Sequence, residues 1–318
     1  MNNIYQNIQP FIQQIKNSNN IVIAGHISPD GDAICSSLSL AMTIEKMGKN
    51  VVVLLEDYGE NYSYVKGHHL VYKQSYDTLD KIDLFICCDC GDVDRLGNVK
   101  SIFEKAKQTA NIDHHISNNG FANLNIVNPK ASSTSEVVFE IISHIGDIDF
   151  DIATAIYTGI VYDTSGFKHN CTTKRTHQIA GELVDLGVDT SFIHTDILDV
   201  HTIENSKLLA QAINNIYIEE DIIISTLTKQ EIENAGCSSK NTGGIIQHLI
   251  NTKNMNVAVF LYEKDEAIKV SFRSKQLDVN KIASTFGGGG HILASGATIT
   301  NMTIQQAKED ILQKIKNA

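Results

Sequence analysis

Ile21-Val-Ile-Ala24-Gly25-His26-Ile-Ser-Pro29-Asp30-Gly31-Asp32-Ala33-Ile34 reads as a strand, a loop and the start of a helix. Ile21 to Ala24 is a short apolar run of the kind a buried strand shows. Ala33 to Met47 places Ile34, Leu38, Ala41 and Ile44 at helical spacing, and Gly48 follows as a C-terminal glycine. Between the two lie one His and two Asp, on a loop where Pro29 and Gly31 interrupt regular structure. In an open parallel sheet, ligands gather beyond the carboxyl ends of the strands, so this loop is where chemistry is expected.

Working outward, Val51 to Leu55, Leu84 to Cys88 and Ala110 to Ile112 read as further buried strands. Thr134 to Ile145 and Ile152 to Tyr162 read as helices. The alternation predicts an α/β fold, a mostly parallel sheet covered by helices on both faces. Acidic and imidazole residues recur at the ends of these segments. Asp89 follows the third strand and leads into Gly91-Asp92-Val-Asp94-Arg95-Leu-Gly97; Asp113-His114-His115 follows the fourth; Asp163 follows the helix ending at Tyr162. Past Leu186-Gly187 the style changes. Residues 188–206 read as a connector with a short helix of its own. Beyond it, Ile222–Leu227, Met255–Leu261 and Ala267–Phe272 are strands, the last two joined by the charged turn Glu263-Lys-Asp-Glu266. Thr242–Asn251 and Ile304–Ile315 are helices. The chain therefore divides into a domain over 1–187, the connector, and a smaller mixed α+β domain over 207–318.

Composition narrows the function classes. The 318 residues are enough for two cores, and 42% of them are apolar. No apolar run reaches the ~18 residues of a membrane span. The start, MNNIYQNIQPFIQQIKN, lacks the basic, apolar and cleavage segments of a signal peptide, so the expected address is cytoplasmic. The six Cys form no C-x-x-C pair, which disfavours structural zinc. Cys87, Cys88 and Cys90 lie in an apolar run, where Cys acts as a small hydrophobe. Residues 206–318 hold 12 Lys+Arg against 11 Asp+Glu, leaving 14 against 26 in residues 1–205. An acidic first half argues against a long nucleic-acid track and suits cations.

The chemistry of hard divalent cations needs carboxylate oxygens, and imidazole favours transition metals among them. Two cations roughly 3.5–4 Å apart can clamp the attacking and leaving oxygens of a phosphoryl group, with a shared carboxylate bridging them. Each residue also has an ordinary reading. A lone Asp-Gly-Asp is most often a turn, and Asp32 read alone is a cap for the helix from Ala33. Asp89 alone is a strand-end cap, Asp163 a helix-end residue, and His68-His69 a surface pair. Their joint occurrence at strand ends carries the argument.

The ordered motifs resemble those of the DHH phosphoesterase superfamily, and within it the nano-RNase (oligoribonuclease)/pAp phosphatase group, over nearly the whole chain. His26-x-x-Pro-Asp30-Gly-Asp32-Ala resembles the first motif, Asp89 with Arg95 and Gly97 the second, Asp113-His114-His115 the third, and Asp163 the fourth. Gly287-Gly288-Gly289-Gly290-His291 with Gly296 is similar to the box of the associated C-terminal domain. The resemblance implies that His26 and Asp30 hold one metal, that Asp32, His114 and Asp163 hold the other, and that Asp89 bridges both. It puts His115 near the scissile phosphate and Asp113 behind an imidazole. It implies two divalent cations, Mn²⁺ by the family's usual preference. Two positions depart from the family pattern: Cys35 stands where Gly is usual, and Ser295 where Ala is. Neither is a proposed ligand.

In the second half, Phe286-Gly-Gly-Gly-Gly-His291 is too rich in Gly for a helix or strand interior, and its successive N–H groups can cradle an anion. No Lys-Ser/Thr follows, so it is not a P-loop. Arg273 is able to bind phosphate bidentately. By resemblance, Arg95, Arg273, Gly288, Gly289, Gly290 and His291 bind substrate, with the active site in the cleft between the domains. The expected activity is hydrolysis of short oligoribonucleotides to mononucleotides and of 3′-phosphoadenosine 5′-phosphate (pAp) to AMP. Membranes and long duplexes are not expected partners; a homodimer is allowed. The rivals are a linear or cyclic dinucleotide phosphodiesterase, a family II pyrophosphatase, a RecJ-like exonuclease and, from another class, a non-catalytic nucleotide sensor.

Overall fold

A computed structural model describes residues 5–318; residues 1–4 of the stretch read above for a leader lie outside it. The chain divides into two compact units, Met1–Val200 and His201–Ala318.

The first unit is built on a five-stranded sheet of order β2-β1-β3-β4-β5. Its strands are β1 (Asn20–Ala24), β2 (Asn50–Leu54), β3 (Leu84–Cys88), β4 (Gln108–Asp113) and β5 (Leu124–Val127). All four pairings are parallel. Burial on both faces explains why the strands read as continuous apolar runs. Alternate residues feed two cores. Ile21, Ile23, Leu84, Ile86 and Cys88 join α1 (Tyr5–Asn17), α2 (Gly31–Lys46), α4 (Thr134–Ile142) and α5 (Phe150–Thr164) on one face. Val22, Ala24, Phe85 and Cys87 meet Leu96, Val99 and the short α3 (Lys100–Phe103) on the other. The outer helices α6 (Lys174–Asp185) and α7 (Thr190–His194) complete the unit. Because β2 and β3 lie on opposite sides of β1, the chain leaves β1 and β3 in divergent directions. That opens a crevice at their carboxyl ends.

The second unit carries a six-stranded mixed sheet of order β10-β11-β9-β8-β7-β6. It comprises β6 (Tyr217–Glu219), β7 (Ile222–Leu227), β8 (Val257–Lys264), β9 (Ala267–Ser274), β10 (Gly289–His291) and β11 (Ala294–Ile299). Only β7 and β8 pair in parallel. The helices α11 (Val279–Ser284) and α12 (Ile304–Lys316) pack on one face. On the other lie α8 (Ile203–Asn214), α10 (Ile245–Ile250) and Ile232 of α9 (Lys229–Asn234).

One expectation is overturned here. The glycine run is not excluded from strand structure: Gly289–His291 is β10, paired antiparallel with β11. The reason is steric. A Cβ on Gly288 would lie 2.1 Å from the Gly296 carbonyl oxygen, and one on Gly290 (φ 147) would lie 2.6 Å from that of Ala294. The glycines let two backbones meet more closely than any side chain permits. Among the described residues, no helix is long and apolar enough to cross a membrane.

Candidate metal centre

The β1–α2 loop delivers the first ligands. Asp30, not Asp32, is the N-cap of α2: its Oδ1 accepts from the Asp32 and Ala33 N–H groups, each at 3.1 Å. The capping role considered for Asp32 therefore belongs to its neighbour. Asp32 is fully buried and turned the other way, each oxygen accepting one N–H at the start of α4, from Thr134 (2.6 Å) and Ser135 (2.9 Å). Gly31 between them is obligatory, since a Cβ there would lie 2.6 Å from the Tyr162 ring.

Asp89 follows β3 with φ 61, a left-handed conformation uncommon for a residue with a side chain. It is 3% exposed and stands between two groups of ligands. Its Oδ2 lies 3.5 Å from His26 Nε2, and its Oδ1 lies 3.7 Å from His114 Nε2 and accepts a 2.9 Å hydrogen bond from Thr134 Oγ1. His26, Asp30 and Asp89 form one triad whose potential ligand atoms lie within 4.8 Å of one another. Asp32, His114 and Asp163 form a second; Asp89, His114 and His115 form a third, overlapping set. Asp163, at the end of α5, approaches His114 Nε2 to 3.1 Å.

The electrostatics describe a site built for positive charge. Burial, then the negative charges of Asp163 and Asp89, push the Asp32 carboxyl well above its usual range. Burial also raises Asp163. Burial disfavours imidazolium at His26 and His114, yet the surrounding carboxylates carry both up to about 10. No Lys or Arg pairs with Asp30, Asp32, Asp89 or Asp163 among the described residues. Four buried or half-buried carboxylates with only His26 and His114 to balance them are costly. Two triads, each of two carboxylates and an imidazole with Asp89 facing both, fit a pair of divalent cations in charge and donor type.

The surrounding residues orient these ligands. His26 Nδ1 lies 2.8 Å from the Ile27 carbonyl oxygen, a contact that places the proton there and leaves Nε2 to a metal. Arg95 Nη2 also lies 2.8 Å from Nδ1; with that nitrogen protonated, the guanidinium has no acceptor there, and no carboxylate pairs with it among the described residues. Asp113 is fully buried and accepts from the His114 N–H (2.8 Å), from His115 Nδ1 (2.7 Å) and from Asn118. Burial favours its neutral form, but the His115 and Asn118 donors outweigh that and hold Asp113 below the usual carboxylate range. His115 is half-exposed, and with Nδ1 held, its Nε2 is available to an anion. Arg273 lies on β9, and Gly288, Gly289, Gly290 and His291 lie at or on β10.

Sequence reasoning missed Thr134 and Ser135, which fasten Asp89 and Asp32. The signal was present in Ser132-Ser133-Thr134-Ser135-Glu136, a Ser/Thr run followed by Glu at a helix start. Ser133 is the N-cap of α4, and buried Glu136 accepts from Ser132 and Thr176.

Fold and site together define a divalent-cation-binding α/β hydrolase with a second, mixed-sheet domain. Residues 20–160 match the DHH family, N-terminal domain, and residues 205–318 match the DHHA1 domain. The chain belongs to the DHH phosphoesterase family, whose members hydrolyse phosphoester bonds. It is 29% identical over 298 residues to the "Bifunctional oligoribonuclease and PAP phosphatase NrnA" of Thermus thermophilus, covering 93% of this chain and 89% of that protein. It is 28% identical over 300 residues to the protein of the same name from Bacillus subtilis, covering 91% and 92%. An exopolyphosphatase-related protein from Bacteroides fragilis superposes with TM-score 0.89 at 29% identity, covering 98% of this chain and 97% of that one. RecJ of Thermus thermophilus in complex with Mn²⁺ shares the fold at TM-score 0.61 and 11% identity, covering 100% of this chain and 55% of that one.

Proposed function

We propose that this protein hydrolyses short oligoribonucleotides to 5′-mononucleotides and pAp to AMP, using two Mn²⁺ ions. The observation that carries the reading is Asp89, fixed in a left-handed conformation with one oxygen toward each ligand triad. The relatives named as oligoribonuclease and PAP phosphatase, matched over most of both chains, supply the substrate class. The near-neutral second half suits a ligand of few phosphates better than a long polyanion. RecJ, which shares the fold, was solved with Mn²⁺.

In this reading His26 and Asp30 would hold one cation, Asp32, His114 and Asp163 would hold the other, and Asp89 would be shared between them. When bound, such a pair supplies Lewis acidity toward the phosphoryl group and toward water. The protein's own residues do the rest. Thr134 and the start of α4 lock Asp89 and Asp32 in place, so no reorganisation is needed when charge develops. Asp113 holds the His115 ring and favours its protonated form; His115 Nε2 then meets charge on a phosphoryl oxygen or protonates the leaving oxygen. Arg95, Arg273, Gly288, Gly289, Gly290 and His291 are assigned to the rest of the substrate.

The test is a panel with added Mn²⁺: pAp, di- to pentanucleotides, a twenty-nucleotide strand, linear and cyclic di-AMP, and pyrophosphate. The reading expects mononucleotides from the short oligomers and phosphate from pAp. Equal turnover of the long strand and the dinucleotide would reject the substrate length. Turnover confined to cyclic di-AMP or pyrophosphate would replace the reading, and no Mn²⁺-stimulated turnover at all would leave a sensor.

A further inference from the structure

A second cavity opens in the first unit beside the metal centre. It has a volume of about 580 Å³, within the range of pockets that enclose a small organic ligand. Tyr58, Tyr72 and Tyr76 line it together with Glu56, Asp57 and Glu60. A narrower cavity of about 110 Å³ shares Leu55, Glu56 and Tyr76 with it and is lined at its other end by Gly25, His26 and Ile27. The two loops are also tied directly, for the Ser28 N–H donates to Glu56 Oε2 at 2.8 Å. The larger cavity thus continues into the loop that holds the first metal triad.

Its chemistry selects an occupant. Three carboxylates against the one ammonium of Lys73 make a poor phosphate site. The polar nitrogens of His68 are already used: Nε2 donates to the Tyr62 carbonyl oxygen at 2.9 Å, so Nδ1 accepts from the Tyr58 hydroxyl at 2.7 Å. What remains is a set of aromatic faces, with Tyr72 and Tyr76 centred 6.5 Å apart, and the exposed carboxylates of Asp57 and Glu60, which accept from N–H donors. A nucleobase offers a π-face to stack and amino or imino groups to donate.

We infer that this cavity is a nucleobase subsite of the proposed hydrolase, and that it favours guanine and disfavours uracil. Guanine presents adjacent N1–H and N2–H donors to a carboxylate. Uracil presents one N–H flanked by two carbonyl oxygens, which carboxylates repel. The inference rests on the functional reading above for the identity of the substrate, but its test does not need turnover.

Guanosine and uridine, which carry no phosphate, are titrated into the full-length protein by calorimetry. The expected result is binding of guanosine at least about tenfold tighter than uridine. Tyr72→Ala and Tyr76→Ala should each weaken guanosine by about tenfold, the scale of one lost base–aromatic stack. Tyr72 and Tyr76 both pack on the second core of the first unit, so a variant that does not touch that core is needed as well. Asp57→Asn with Glu60→Gln alters exposed side chains only and should bring the guanosine-to-uridine ratio within about threefold. Absence of guanosine binding overturns the inference. So does uridine binding as tightly, or affinity unchanged in both the tyrosine and the carboxylate variants. Wild-type turnover of bis(p-nitrophenyl) phosphate with Mn²⁺ tests the hydrolase reading separately, because that diester has no base.

Discussion

At the scale of the residue, Asp89 concentrates the argument. Asn tolerates the left-handed conformation and matches Asp in volume, so Asp89→Asn removes charge without disturbing the β3 terminus. Steady-state assays should show turnover reduced on the order of 10³-fold or more. In the presence of chelator the variant should melt close to wild type, because Asp32 and Asp163 lose a like charge while His26 and His114 lose a partner. Retained activity would remove the bridging role. Asp83 offers a prediction away from the site. It accepts from Lys107 and from the Asn20 and Asn19 N–H groups, and these donors lower its pKa to about 2 from an ordinary 3.8. A depressed folded-state value means the stabilisation is complete above pH ~3.8 and lost as pH falls toward 2. Allowing for solvent screening, it contributes about 1 kcal/mol. Asp83→Asn should therefore lower stability at pH 7 by about that amount and flatten the slope of urea midpoints between pH 4 and 2. At this scale the gathering of His26, Asp30, Asp32, Asp89, His114 and Asp163 was legible, because each sits near the end of a strand or helix. Thr134 and Ser135 were not, because hydroxyl residues in a helix-start run look like ordinary caps until the partner across the fold is known.

At the scale of the element, helix α5 must come close enough to α4 and Asp32 to bring Asp163 into the site. Gly159 makes that possible: a Cβ there would lie 2.0 Å from Ser135 Oγ and 2.9 Å from Asp32 Oδ1. Ala is the better helix former by about 1 kcal/mol, but overpacking of this severity costs about 1–3 kcal/mol. Gly159→Ala should therefore destabilise, by about 1–2 kcal/mol in denaturant titrations. It should also weaken Mn²⁺ binding measured by calorimetry, since Asp32 has no room to retreat. Strands β1 and β3 and helices α2 and α5 were readable from apolar spacing. The strands β5, β6 and β11 were missed. Leu124–Val127 and Tyr217–Glu219 are too short for a period to show, and Ala294–Ile299 carries too few large apolar residues. The error at Gly289–His291 has the same origin. Propensity speaks of an isolated segment, whereas here the proximity of Gly296 and Ala294 decides.

At the scale of the whole molecule, four carboxylates gathered around two imidazoles, with no Lys or Arg among the described residues to pair them, tax the cation-free protein, and a bound cation relieves them. At a hundredfold excess over its dissociation constant, a ligand of the folded state contributes about 2.7 kcal/mol. For a unit of this size that corresponds to roughly 5–10 °C. Mn²⁺ should raise the melting temperature by that much, chelator should reverse it, and Asp89→Asn should lose most of it. An unchanged melting temperature would argue that the triads hold no ion. The parallel first sheet and a mixed second sheet were foreseeable, because strand–helix alternation gives way to a hairpin pattern past Gly187.

The strand order has a consequence for synthesis. His26, Asp30 and Asp89 leave the ribosome early, but the second triad waits for Asp163, the last ligand made. A nascent chain that has reached only the end of α4 owns the His26–Asp30–Asp89 set and the overlapping Asp89–His114–His115 set, while the set around Asp32 still lacks Asp163. Loading of both proposed cations would thus be a late event in the life of each molecule, coupled to the docking of α5.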